Sequence, residues 1–190
     1  MKVAFQKKIA LLAGCILTAC TLSASPVFAM ADNVEIQMEY LQHRAFDDRH
    51  IDDVNIHVFQ KAHEKGSFSF HRGFTITRGH GFTTEDGIYR KSNAWGIGPA
   101  FMVRYERPVH GKLTWDLEGS GSFLIYSKSF PAQGRPYGFM WRIGPRLNYH
   151  YTKDNSVSLG YIFSHSSNGM STDNPGHNSV GFSLGLDHHF

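Results

Sequence analysis

Beyond residue 20 the chain has no cysteine: its two, Cys15 and Cys20, lie close to the start. If that leader is removed, disulfides and cysteine-ligated metal sites are both excluded. Also missing is any run of about 20 consecutive apolar residues, which a membrane-spanning helix needs. Nor is there a sustained 3.6-residue apolar period anywhere after Ala31, so an amphipathic helical bundle is excluded as well. Charge of one sign is lacking too. The formal balance is 19 Lys and Arg against 16 Asp and Glu. Three of the basic residues, Lys2, Lys7 and Lys8, sit in a leader that has no acid, leaving sixteen of each sign afterwards. A balanced chain has no electrostatic footprint for nucleic acid, and none is expected as a partner.

What the leader does contain is a basic start, the apolar stretch "IALLAGCILTACTL" and then "SASPVFAMA". That order is expected of a secretory signal peptide over 1–31, cleaved after Ala31 at "AMA" or after Ala29 at "VFA". "LAGC" and "LTAC" each resemble a bacterial lipobox, but cleavage there would leave an apolar leader on the mature protein. The expected mature domain is 32–190.

From there on, apolar and polar residues alternate with period two in eight runs, at about 34–44, 53–63, 67–79, 94–107, 112–128, 137–152, 155–167 and 178–190. Gly, Asp, Asn, Pro and Ser fill the gaps between them. Long connections ("RAFDDRHIDD", "RGHGFTTEDGIYRKSN", "SFPAQGRP", "NGMSTDNPGH") take turns with short ones ("HEKG", "RPVHG", "TKDN"). This is the arrangement of an all-β, eight-stranded antiparallel up-and-down barrel with one decorated and one tight rim.

One face of these runs is large and aromatic: Trp95, Ile97, Phe101, Val103, Leu113, Trp115, Leu117, Phe139, Trp141, Leu147 and Tyr149. The other carries Arg104, Glu106, Asp116, Glu118, Arg142 and Arg146 among glycines and serines. So narrow a barrel cannot hold that many aromatic rings inside. Placing the aromatics toward lipid and the paired charges inside gives a transmembrane barrel. The last run, "VGFSLGLDHHF", ends on Phe190 and resembles the assembly signal of outer-membrane barrels. The expected location is the bacterial cell outer membrane, crossed by every strand.

Against this frame the polar stretch "SHSSNGMSTDNPGHNS", 164–179, stands out. Val157, Leu159, Tyr161 and Phe163 form the lipid-facing row of the seventh run, and the same parity reaches His165 and Ser167. On the eighth run the outward row is even-numbered and includes Asn178. A His and a Ser two apart on one strand face stand about 7 Å apart at the backbone. With both termini in the periplasm, the three side chains collect at the level of the outer leaflet. Polar groups on a lipid-facing wall mark either the edge of the bilayer or a site.

The pattern His-x-Ser-Asn-Gly followed by Asn-Pro-Gly-x-Asn-Ser and a last strand resembles the PagL-type lipid A 3-O-deacylases, the acyloxyacyl hydrolase family of outer membranes. The resemblance implies hydrolysis of the ester-linked 3-hydroxyacyl chain of lipid A, with lipopolysaccharide and outer-membrane lipids as partners and no cofactor. It implies Ser167 as nucleophile, His165 as general base and Asn168 at the oxyanion site. Where members of the family carry a glutamate, this chain has Asn178, which can fix the imidazole tautomer but brings no charge. Asp173 is a possible substitute, whereas Asp187 shares the inward parity of the last run.

The twelve histidines are scattered and give no ligand set, so no metal is expected. Arg90, Lys91 and Arg135 are candidates to meet lipid A phosphates at the outer rim. The rival readings are a non-catalytic structural or adhesive barrel and a narrow pore. The sequence leaves open whether the chain acts alone or as a homodimer.

Overall fold

The computed structural model describes residues 32–44, 49–169 and 174–190. The expected signal peptide over 1–31 and Asp173 lie outside the described residues. Eight antiparallel strands follow one another in a closed ring: β1 (Asn33–Arg44), β2 (Arg49–Lys65), β3 (Phe68–Thr83), β4 (Arg90–His110), β5 (Leu113–Phe130), β6 (Arg135–His150), β7 (Asn155–Ser167) and β8 (Gly176–His189). The ring closes where β1 pairs with β8, Ile36 opposite Leu186 and Arg44 opposite Asn178.

The strands run farther than the alternation indicates. The segment 78–93 reads as a loop because it is rich in Gly, Thr and Asp, yet β3 and β4 stay paired from Arg78 opposite Trp95 to Thr83 opposite Arg90. Gly79 allows this for a packing reason. A Cβ there would fall 2.1 Å from the ring of Phe130, which fills the space inside the outer end of the barrel. The glycine that looks like a turn residue is the seat of a cap.

The two faces separate as the alternation requires. Trp95, Ile97, Phe101, Trp141, Leu159, Tyr161, Phe182, Leu184 and Leu186 are exposed on the outside. Inside, Ile51, Ala94, Leu124, Tyr126, Phe130 and Met140 make an apolar cluster toward the outer end, and Phe59, Ala100 and Met102 make a second.

Most of the remaining lumen is ionic. Arg146 forms a fork on Glu118, with contacts of 3.0 and 3.1 Å, and donates to Ser158 and Ser183. Arg104 bridges Glu35 at 2.7 Å, Glu118 at 3.2 Å and Asp116 at 3.1 Å. Arg142 pairs with Glu39, which also meets His57. Glu106 is not part of this network. It lies exposed at the end of the barrel away from the Phe130 cap, while Glu35 and Glu39 supply charges, and His57 a hydrogen-bonding partner, that the sequence reading did not name.

Removing one partner of a buried pair leaves the other uncompensated. Arg146→Ala is therefore expected to lower unfolding stability by about 3–5 kcal/mol, and Glu106→Ala by less than about 0.5 kcal/mol. Urea titration of the refolded barrel, read by the mobility difference between folded and unfolded forms on gels, checks both.

Candidate active site on the outer wall

At its C-terminal end β7 keeps its alternation to the last residue. Ser164 and Ser166 point inward and are buried, while His165 and Ser167 are half-buried on the outer face. The neighbouring strands place partners on both sides. Trp141, His165 and Asn178 form one row across β6, β7 and β8, and Phe139, Ser167 and Gly176 form the next.

His165 Nδ1 lies 2.7 Å from Asn178 Oδ1. An amide oxygen only accepts, so Nδ1 carries a hydrogen, and in the neutral ring this leaves the lone pair on Nε2. The Trp141 ring lies 5.7 Å from the imidazole and 5.4 Å from Phe163, walling off that side. Gly176 brings the other two groups together: a Cβ there would sit 3.2 Å from Ser167 Cβ and 3.3 Å from His165 Cε1. Serine and imidazole thus share one small hollow, floored by a residue with no side chain.

Asn168 turns inward, as alternation requires, and is buried. Its side-chain amide donates to the Tyr137 carbonyl at 2.7 Å and the Phe130 carbonyl at 3.2 Å, and accepts from the Arg135 N–H at 3.2 Å. These bonds brace the connection between β5 and β6 and leave the side chain no orientation toward the outer face. Its backbone N–H, which follows Ser167 in the chain, donates to Asn174 Oδ1 at 2.7 Å. Asp187 is engaged near the opposite end of β8 with Asn33 and His189, roughly 30 Å from Asn178 along the strand.

A family model described as lipid A 3-O-deacylase (PagL) matches residues 53–187. The chain belongs to the PagL lipid A 3-O-deacylase family. Comparison with curated proteins finds no match. Among solved structures, the crystal structure of the outer membrane enzyme PagL is similar at 14% identity and a TM-score of 0.53, covering 83% of this chain and 99% of that one. Neisserial surface protein A is similar at 12% identity and a TM-score of 0.56, covering 83% and 96%. At such identities the likenesses show the fold, an outer-membrane β-barrel. The PagL-family chain is located in the outer membrane.

In this PagL-family barrel, the strand carrying Asn178 is held from inside by a strand that is not its neighbour. β2 is separated from β8 by β1, yet Arg49 Nη1 donates to the Gly176 carbonyl at 2.7 Å. Asp53 meets His177 Nε2 at 2.9 and 3.1 Å and accepts from Ser179 Oγ at 2.7 Å. His177 and Ser179 are the inward neighbours of Asn178, so one buried carboxylate fixes both flanks of the outward amide. Sequence reasoning did not find Arg49, Asp53 or Asn174. The two β2 residues are more than a hundred positions from their partners, and no local pattern links them.

Asp53→Ala would strand two buried donors. Its expected cost is about 3 kcal/mol of unfolding stability, whereas Ser179→Ala, which removes one of three contacts, costs about 1 kcal/mol. The same urea titration measures both.

Proposed function

We propose that the chain is a lipid A 3-O-deacylase that uses Ser167 as nucleophile, His165 as general base and Asn178 as the group that orients the imidazole. The observation that carries this is the 2.7 Å contact of His165 Nδ1 with Asn178 Oδ1, made beside Ser167 on the same outward face. A serine hydroxyl is a weak nucleophile until a base removes its proton, and here the unprotonated Nε2 is the nitrogen left for that task.

In the proposed reaction Ser167 Oγ attacks the carbonyl carbon of the 3-O ester as its proton passes to Nε2. The tetrahedral intermediate collapses, the bond to the sugar oxygen breaks, and the imidazolium returns the proton to that oxygen. Water, deprotonated by the same nitrogen, then hydrolyses the acyl-serine, releasing the 3-hydroxy fatty acid and restoring the enzyme. No cofactor enters. Asn168 serves the oxyanion through its backbone N–H, which Asn174 Oδ1 occupies at 2.7 Å in the resting arrangement and a substrate oxygen would replace.

The wall below the site suits the acyl chain. Phe163 faces Val180, Tyr161 faces Phe182, Leu159 faces Leu184 and Val157 faces Leu186, giving an apolar track down β7 and β8 from the imidazole toward the bilayer centre. Lipopolysaccharide in the same leaflet would present its ester at the rim with its chain along this track. The leader over 1–31 fits the proposal as a signal peptide for export.

Mass spectrometry of lipid A from cells making wild type, Ser167→Ala, His165→Ala or Asn178→Ala tests the reading. The wild type should remove one 3-hydroxyacyl mass. Rates for purified Ser167→Ala and His165→Ala should fall by about 10³-fold or more, and that of Asn178→Ala, which loses its tautomer control, by about 10²-fold. Gly176→Ala should also be impaired, because its methyl would fall 2.8 Å from the Ser166 backbone oxygen and against Ser167 and His165, displacing the end of β7 that carries them. Unchanged lipid A with a folded wild-type barrel would favour a non-catalytic role.

A further inference from the structure

We infer that Arg44 is a phosphate-binding residue beside the active site, that it is available because position 178 is an amide, and that it selects substrates phosphorylated on the sugar ring that carries the scissile ester. This rests on the deacylase reading.

The register extends the site by one strand. Across the outer wall the row runs Trp141, His165, Asn178, Arg44, with Arg44 directly opposite Asn178 where β1 meets β8. Arg44 is exposed, and its side chain donates to the carbonyl of His43 at 3.1 Å. Among the described residues no carboxylate pairs with it. A carboxylate at 178 would be the cross-strand neighbour of Arg44 on the same face, where opposite charges attract. The Asn178 oxygen is instead taken by His165 Nδ1 at 2.7 Å and brings no charge, so among the described residues the exposed Arg44 side chain has only the His43 carbonyl as an acceptor. Phosphate monoesters match its guanidinium fork in geometry and charge.

The distances suit one ligand in particular. Neighbouring strands lie about 4.8 Å apart, which puts the Arg44 backbone about 10 Å from that of His165 along the row. A glucosamine esterified at its 3-oxygen and phosphorylated at C1 carries both groups on one ring, so ester and phosphate can reach the serine and the arginine together.

The phosphate also has an electrostatic effect on the reaction. When His165 takes the serine proton it becomes an imidazolium, with a cation nearby and an uncharged orienting partner. A phosphate on Arg44 cancels that repulsion, so the negative charge that Asn178 lacks arrives with the substrate. An interaction that strengthens as charge develops acts on kcat as well as on KM.

The test uses the refolded full-length barrel in detergent and three substrates: bisphosphorylated lipid A, lipid A lacking the C1 phosphate, and lipid A lacking the 4′ phosphate. For the wild type, loss of the C1 phosphate should lower kcat/KM about tenfold or more, with a clear part in kcat, while loss of the 4′ phosphate should change little. Arg44→Ala should be folded and equally slow on all three, and Arg44→Lys should recover part of the discrimination. Asn178→Glu should be active yet indifferent to the C1 phosphate, since the new carboxylate both engages Arg44 and supplies the charge. Equal wild-type rates on all three substrates, or undiminished discrimination in Arg44→Ala, would overturn the inference. Sensitivity to the 4′ phosphate alone would overturn the assignment to C1. No hydrolysis of any substrate by a folded wild type would instead remove the deacylase reading on which it rests.

Discussion

A backbone inside hydrocarbon has no water to bond, so each strand must find a partner on both sides. In this chain that requirement closes β1 onto β8, and the rest follows from the closure. A closed ring fixes the register of every pair, and register fixes which residues face lipid and which face the lumen. The row Trp141, His165, Asn178, Arg44 exists only because three separate ladders are locked together. A slip of one residue in any of them would turn half the row inward.

The lumen and the outer wall divide the work. Inside, Arg146, Glu118, Arg104 and Glu35 occupy the narrow lumen as buried ion pairs. Outside, His165, Ser167 and Asn178 come together at the end of β7 and the start of β8. Asp53 and Arg49 connect the two regions by gripping β8 from within, one residue either side of Asn178 and at Gly176. The interior therefore contributes to the candidate site by holding still the strand on which it depends.

Much of this was legible in the sequence. Period-two alternation is a local signal, so the eight strands and their outward faces could be read from Val157, Leu159 and Tyr161 or from Trp95 and Ile97 alone. The same parity put His165, Ser167 and Asn178 outward and Asn168 inward, and the structure has them so. Strand ends were read less well, because Gly79 and the residues after it look like a loop until Phe130 is known to pack there. Glu106 was read into the ionic network because it has the inward parity, but parity does not say where along the barrel axis the lumen opens to water.

The amino-acid sequence by itself determined the fold class, the lipid-facing surface and the face on which each candidate side chain lies. These are consequences of alternation and need only neighbours along the chain. The tertiary structure alone decided that Asn178 stands opposite His165 and Arg44, that Gly176 floors the hollow beside Ser167, and that Asp53 braces β8 across β1. Such contacts depend on the stagger between strands far apart in sequence, a quantity that emerges only when all eight close into one ring.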